Sequence, residues 1–313
     1  MDLKVAIFKE LVRKGYSELS DGRKVWDVAN RSFLYMTSEL VKSFLEVRQH
    51  PRYRQVIIDI EKDLLKKNSK DFVKGLKNEP YNLIDIGCGD GSKAKAFLEA
   101  LGGEGKVRFC PLAPNEELVN LAMENIKKAG FENVKEFKPC RADFGSLHEV
   151  ANKIKDEKYG KNVLLLLGSI LASYDIHSYL FNLTQSMSVG DRLIIGNGIR
   201  RGERFESLEV YKHSVFKKWL FPLVRTLGFG KDEVDYDARF ANGRVECFYK
   251  INFDKHTEYE GRKIEFKKGD EIVVAVLYKF YGPELEDFCK MYFREAELVR
   301  DANSEYALVL CKK

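Results

Sequence analysis

No CxxC pair occurs in this chain of 313 residues. Its six cysteines (Cys88, Cys110, Cys140, Cys247, Cys289 and Cys311) stand far apart and away from any histidine pair. That spacing excludes the usual zinc frameworks and suggests reduced thiols in a cytoplasmic protein. Apolar runs such as Val163–Leu167 are far too short to span a bilayer. The first residues, Met1 to Tyr16, alternate charged and apolar types and lack the apolar centre of a signal peptide. An excess of one charge is missing as well. Lys and Arg total 53 against 48 Asp and Glu, for a formal net charge of +5. A nucleic-acid partner would call for a larger excess or a basic stripe. The clusters Arg200–Arg204 and Lys212–Lys218 read as solvated faces, and a docking role for them is the minor alternative. GxSxG, HExxH and P-loop patterns are absent, as are internal repeats and low-complexity tracts.

What remains is an ordinary core-forming composition, 44% hydrophobic and 32% charged. Residues 1 to 75 read as helical: Val5, Phe8 and Val12 recur at helical spacing, as do Phe33, Leu40, Phe44 and Leu45. From residue 81 short apolar runs alternate with amphipathic stretches. Strands are expected at Leu83–Ile86, Val107–Cys110, Val134–Phe137, Val163–Leu167 and Arg192–Gly196. Helices are expected at Ser92–Leu101, Asn115–Ala129, Leu147–Ile154 and Ile176–Met187. This rhythm predicts an α/β fold with a mostly parallel sheet covered on both faces. After Gly198 it breaks: a helical stretch from Phe205 to Leu227 precedes a β-rich one from Val234 to Val276, with Asn242-Gly243 as a hairpin turn. A helix from Pro283 and a final strand pair, Glu297–Arg300 with Tyr306–Leu310, close the chain, the last strand antiparallel to the sheet. The division that follows is 1–70 plus 198–276 as a second α+β lobe, and 71–197 plus 277–313 as the sheet domain.

The most informative segment is Asp85-Ile86-Gly87-Cys88-Gly89-Asp90-Gly91-Ser92. An acid ends a buried strand, three glycines follow at alternate positions, and a helix begins. Glycine admits backbone conformations and close approaches that a Cβ forbids. Dinucleotide sites use GxGxxG and seat a pyrophosphate on the helix N-terminus. Here the spacing is GxGxG behind an acid, which is similar to the loop of Rossmann-like class I S-adenosylmethionine (SAM) dependent methyltransferases. SAM carries an ammonium and a sulfonium and no phosphate, so an acid in the turn suits it. That likeness implies cofactor roles for Asp85, Gly87, Cys88, Gly89, Gly91 and Lys93. Asp143-Phe144 would serve the adenine, by hydrogen bond and by packing, although Asp143 suits a helix N-cap too. Gly168 and Ser169 end the fourth strand at the edge where open α/β sheets bind ligands.

Leu166-Leu167-Gly168-Ser169-Ile170, Gly190-Asp191-Arg192-Leu193-Ile194-Ile195-Gly196 and Gly269-Asp270-Glu271-Ile272 leading to Tyr278-Lys279-Phe280 together resemble the histidine-specific methyltransferase family. That family includes the histidine Nα-methyltransferase of ergothioneine synthesis. The resemblance covers most of residues 80–313, and the two-lobed order matches as well. It implies a SAM-dependent N-methyltransferase with Ser173, Tyr174, Ala275, Leu277 and Tyr278 at the substrate, Tyr174 and Tyr278 nearest the chemistry. His177, on the helix after the site loop, reads as a surface or capping residue.

Three departures bear on substrate. Ala113 stands where the family has a ribose-binding acid, leaving Asn115 or Glu116 as the nearby polar groups. Ser173 replaces the family's substrate-anchoring Asn. Ala275 and Leu277 replace the acid and serine that grip an imidazole, and apolar groups there cannot hydrogen-bond one. The expectation is therefore methylation of a small-molecule amine, or of an amino group, other than free histidine. No Asn/Asp-Pro-Pro-Tyr tetrapeptide points to nucleic acid. The alternatives are a SAM-fold binding protein without transfer activity and an RNA or protein modifier. The sequence leaves the oligomeric state open.

Overall fold

A computed structural model describes residues 2–76, 79–144, 154–202, 205 and 207–313. The chain divides into two compact units, Met1–His50 with Arg204–Tyr278 and Pro51–Glu203 with Lys279–Lys313. In chain order the elements are α1 (Leu3–Lys14), β1 (Tyr16–Glu18), β2 (Lys24–Asp27), α2 (Ser38–Gln49), α3 (Pro51–Tyr53), α4 (Ile60–Phe72), β3 (Pro80–Ile86), α5 (Ser92–Leu101), β4 (Lys106–Ala113), α6 (Glu116–Ala129), β5 (Val134–Phe137), β6 (Cys140–Arg141), β7 (Lys161–Leu166), α7 (Ile176–Gln185) and β8 (Arg192–Gly198). After them come α8 (Leu208–Tyr211), α9 (Ser214–Thr226), β9 (Val234–Ala241), β10 (Arg244–Ile251), β11 (Lys255–Tyr259), β12 (Arg262–Phe266), β13 (Glu271–Tyr278), α10 (Gly282–Lys290), β14 (Glu295–Arg300) and β15 (Tyr306–Lys312). The helix expected over Leu147–Ile154 falls, apart from Ile154, outside the described residues, as do Glu203 and Arg204 of the first basic cluster.

The larger unit holds the sheet. Its strands run β14-β15-β8-β7-β3-β4-β5, with β6 also paired to β4. β3, β4, β5, β7 and β8 are mutually parallel, and β15 is antiparallel to β8. β7 is buried from Asn162 through Leu166, on both faces, which is why Val163–Leu166 is an unbroken apolar run. Leu83, Val163, Leu165, Ile194 and Leu308 form the centre of the core together with Phe97 and Leu98 of α5. Each such side chain contributes roughly 2 kcal/mol by leaving water. The strand order reverses beside β3, whose neighbours β4 and β7 diverge to opposite sides. That switch point is where an open α/β sheet leaves a crevice at its carboxyl edge.

α4 belongs to this unit and not to the second lobe, where the expected boundary at residue 70 put it. Leu64, Leu65 and Phe72 join the sheet's own core with Leu83 and Phe97. The helix is continuous with α3 through a π-helical turn, Arg54–Asp59, which offsets the helical repeat just ahead of Glu61.

The smaller unit is built on a five-stranded sheet, β1-β2-β13-β10-β9, with β11–β12 as a separate hairpin. β1 and β2 correct the all-helical reading of residues 1–75. β2 is held by parallel pairing with β13, far along the chain, which local periodicity does not register. Asn242 and Gly243 both take positive φ (52° and 72°) and join β9 to β10 as the two-residue turn their identities predict. Trp219 of α9 stacks near Phe44 of α2 and donates to the Leu34 carbonyl at 3.3 Å.

All six cysteines are free, and five are buried; Cys140 is half-buried. Burial pushes the Cys110 thiol up to about 12 and raises that of Cys140 too. One thiol is therefore expected to react in the native protein with a charged thiol reagent at pH 8, and more slowly than a free cysteine. Titration before and after denaturation, with Cys140→Ser as the control, checks this. More than one fast thiol, or a fast phase that survives the substitution, would contradict the burial pattern.

Candidate functional site

At the carboxyl edge of β3 the chain turns through Gly87, Gly89 and Gly91, with φ of 71°, 55° and 75°. All three lie in the left-handed region, where an L side chain costs about 1–2 kcal/mol. The turn is tied down by Gly87 N–H and Cys88 N–H, which both donate to the Leu112 carbonyl at 2.8 and 3.2 Å. Gly91 N–H donates to the Cys88 carbonyl at 2.8 Å, and Ser92 N–H to Asp90 Oδ1 at 3.0 Å. Asp85, one residue from the end of β3, is 2% exposed.

A second loop leaves β7 beside it. Gly168 and Ser169 both have positive φ (75° and 56°), and for Ser169 that is a strained conformation. β8 holds it there: Ser169 N–H donates to the Gly196 carbonyl at 2.9 Å, and Gly198 N–H donates to Ser169 Oγ at 3.0 Å. The chain then makes a 3-10 turn, Leu171–Ser173, and enters α7. Ser173 and Tyr174 are half-buried there.

Asp143-Phe144 comes to the same place. A Cβ on Gly87 would stand 3.3 Å from the Phe144 ring and 2.3 Å from Ile170 Cδ1. The glycine turn, the buried Phe144 and the β7 loop therefore meet. Tyr179 of α7 fixes them further. Its hydroxyl donates to the Phe144 carbonyl at 3.2 Å, and its ring stacks on Tyr174 at 4.8 Å. Burial first, then the nearby Tyr174 and Asp143, push the Tyr179 phenol well above its ordinary value, so it remains a donor. The N-cap alternative for Asp143 concerns a helix outside the described residues.

At the end of β4, Ala113 is fully buried. Asn115 Oδ1 accepts from Glu117 N–H at 2.8 Å and so caps α6, and Glu116 is exposed. A methyl group stands where the resemblance calls for an acid.

Glu61 is a residue that sequence reasoning missed. It is fully buried, its Oε1 accepts from Gly168 N–H at 2.8 Å and from the Tyr306 hydroxyl at 2.6 Å, and its Oε2 forms an ion pair with Lys93. Burial, then the Glu61 charge, holds the Tyr306 phenol well above its ordinary value, so it too remains a donor. The available signal was an acid at helical spacing on the apolar stripe Ile57, Leu64, Leu65.

The remaining expected site residues lie in the smaller unit and do not share a face. Ala275 pairs with Cys247 and Leu277 with Val245, while Tyr278 pairs with Arg244. Alternation along β13 therefore puts Ala275 and Leu277 on one face and Tyr278 on the other. Arg244 Nη1 donates to the Tyr278 hydroxyl at 3.4 Å, and its Nε to Glu246 at 2.8 Å. His177 is exposed on α7 with Nδ1 3.0 Å from the Tyr292 hydroxyl, a surface position.

The second basic cluster is largely neutralised: Lys212 pairs with Glu209 at 3.0 Å and Lys218 with Glu46 at 2.5 Å. Among the described residues no group of three or more side chains is arranged to hold a metal ion, and no helix is long and apolar enough to cross a membrane.

Comparison with known proteins gives a family match over most of the chain. The family profile described as "Histidine-specific methyltransferase, SAM-dependent" matches residues 41–313. Ergothioneine biosynthesis protein 1 of Schizosaccharomyces pombe is 25% identical over 146 residues, which are 44% of this chain and 19% of that protein. The match thus spans about a fifth of that relative's length. Among solved structures, the 1,6-didemethyltoxoflavin-N1-methyltransferase of Burkholderia thailandensis is 12% identical, covering 95% of this chain and 98% of that one, with a TM-score of 0.42. A Pyrococcus horikoshii protein is 12% identical over 89% of this chain and 94% of that one, also with a TM-score of 0.42.

Proposed function

Because the chain belongs to the histidine-specific, SAM-dependent methyltransferase family, we propose that it methylates a small-molecule amine, or an amino group, other than free histidine. The observation that carries the cofactor part is the left-handed glycine turn at the switch point, with Asp85 buried beneath it and Phe144 against it. This donor set suits SAM at both ends. The carboxylate of Asp85 answers a cationic amino-acid end. Asp143 and Phe144 offer an acceptor and an apolar face to the adenine. Lys93 is a buried cation for the carboxylate, and Gly168, Ser169, Cys88 and Asn115 complete the lining.

Bound SAM supplies an electrophilic methyl group on its sulfonium. The protein's own contribution is mostly positioning, since a neutral amine needs no strong base. Tyr179 holds Phe144 and Tyr174 together, and the glycine turn lets backbone approach where a side chain would intrude. Ser173 and Tyr174 are the acceptor-side groups of the sheet unit in this reading. The smaller unit is the substrate lobe, where Ala275 and Leu277 favour an apolar acceptor over an imidazole and Tyr278 is the polar group on the reverse face. Six free thiols suit a cytoplasmic setting.

Calorimetric titration with SAM and with S-adenosylhomocysteine, followed by labelled transfer to a panel of amines that includes histidine, tests this. Micromolar binding and transfer to an amine less polar than histidine are the expected results. Transfer to histidine alone would remove the substrate reading. Binding without transfer to any fraction of a cell extract would favour a binding protein, the reading that Ala113 supports. No binding at millimolar ligand would remove the cofactor reading altogether.

A further inference from the structure

Two strand ends and a helix converge on one buried carboxylate. Glu61 takes the N–H of Gly168 from the β7 loop, the hydroxyl of Tyr306 from β15, and the ammonium of Lys93 from the first turn of α5. Room for it is made by Gly196 of β8, where a Cβ would stand 1.9 Å from Glu61 Oε1. A carboxylate offers about four acceptor sites, so these contacts nearly saturate it. A buried ammonium on a flexible four-carbon stem has no fixed place unless a partner supplies one. Here the partner is itself fixed by two neutral donors. The Lys93 ammonium lies at the β7 side of β3, 2.7 Å from where a Gly168 Cβ would be. Asp143 and Phe144 follow β6, which pairs with β4 on the opposite side of β3. A ligand with its adenine at Phe144 and its centre over the glycine turn therefore turns its amino-acid end toward Lys93.

We propose that Glu61 is a positioning residue, holding Lys93 and the β7 loop so that they receive the amino-acid end of the cofactor. This rests on the cofactor reading above, and the test separates the two. The probes are S-adenosylhomocysteine, which has the amino-acid end, and 5′-methylthioadenosine, which lacks it. Wild type should bind both. Glu61→Gln should weaken S-adenosylhomocysteine at least about tenfold while methylthioadenosine stays within about twofold. A merely structural role would weaken the two ligands alike, and that result, or no change in either, would overturn the proposal. Tyr306→Phe removes one bond to Glu61 and keeps its charge, so it serves if Glu61→Gln does not fold. The same selective loss is expected at about threefold, and equal effects on the two ligands would overturn the proposal there too. If wild type binds neither probe, the cofactor reading itself has failed.

Discussion

Gly87→Arg is expected to abolish binding of S-adenosylhomocysteine, a loss of more than about a hundredfold, equivalent to ~2.7 kcal/mol or more. Two costs combine at this position. The backbone stands at φ 71°, where any L residue is disfavoured by about 1–2 kcal/mol. The first side-chain atom would already lie 2.3 Å from Ile170 Cδ1, and the rest of an arginine has nowhere to go but into the crevice beside Phe144. A comparison with a second left-handed glycine, at the far end of the following helix, separates the two costs. Gly102 caps the far end of α5 at φ 58°, with nothing within 4 Å of its would-be Cβ. Gly102→Ala should therefore lose about 1 kcal/mol of stability and no ligand affinity. Titration calorimetry on both variants, with unfolding curves to establish that each is folded, reads the difference. Equal affinity of Gly87→Arg and wild type would mean that the ligand does not sit over this turn.

That the turn was legible from sequence while Glu61 was not has a physical reason. The glycine loop is a local device: strand, left-handed turn and helix are consecutive in the chain, and three alternate glycines report the backbone directly. The buried strands β3, β7 and β8 are similarly local, because burial on both faces leaves an apolar run whatever their neighbours are. β1 and β2 carry no such mark. They are three and four residues long, and β2 exists as a strand because β13 offers it a parallel edge some 240 positions later. The opposed faces of Ala275 and Tyr278 follow from alternation along β13, the two being an odd number of residues apart, while the pairing of β13 with β10 and β2 is long-range. Glu61 stands at helical spacing on the stripe Ile57, Leu64 and Leu65, but its partners come from three distant elements, so nothing local marks what it binds.

Gly196→Ala is expected to destabilise the sheet unit by roughly 3 kcal/mol, although two general effects argue the other way. Alanine restricts the unfolded chain and on that account stabilises by about 0.4–1 kcal/mol, and it is no worse than glycine in a strand. Gly196 does not need a positive φ, so no backbone strain opposes the change. What opposes it is the carboxylate of Glu61, 1.9 Å from the new Cβ, with Leu167 Cδ2 at 3.1 Å on the same side. Glu61 is fully buried and cannot swing to solvent, so moving it breaks the hydrogen bonds from Gly168 and Tyr306 and parts it from Lys93. Overpacking of this kind costs about 1–3 kcal/mol, and a displaced buried hydrogen bond another 1–3. At ~2–4 °C per kcal/mol this amounts to a fall of about 6–12 °C in the melting temperature of the sheet unit. A double-mutant cycle identifies the source. Glu61→Ala removes the obstructing carboxylate, so Gly196→Ala in that background should cost at least about 1 kcal/mol less than it does alone. Strict additivity would mean that the strain lies with Leu167 and the β8 backbone, and that the carboxylate tolerates displacement. A cost below about 0.5 kcal/mol in the wild-type background would mean that Glu61 is not held where its three partners place it.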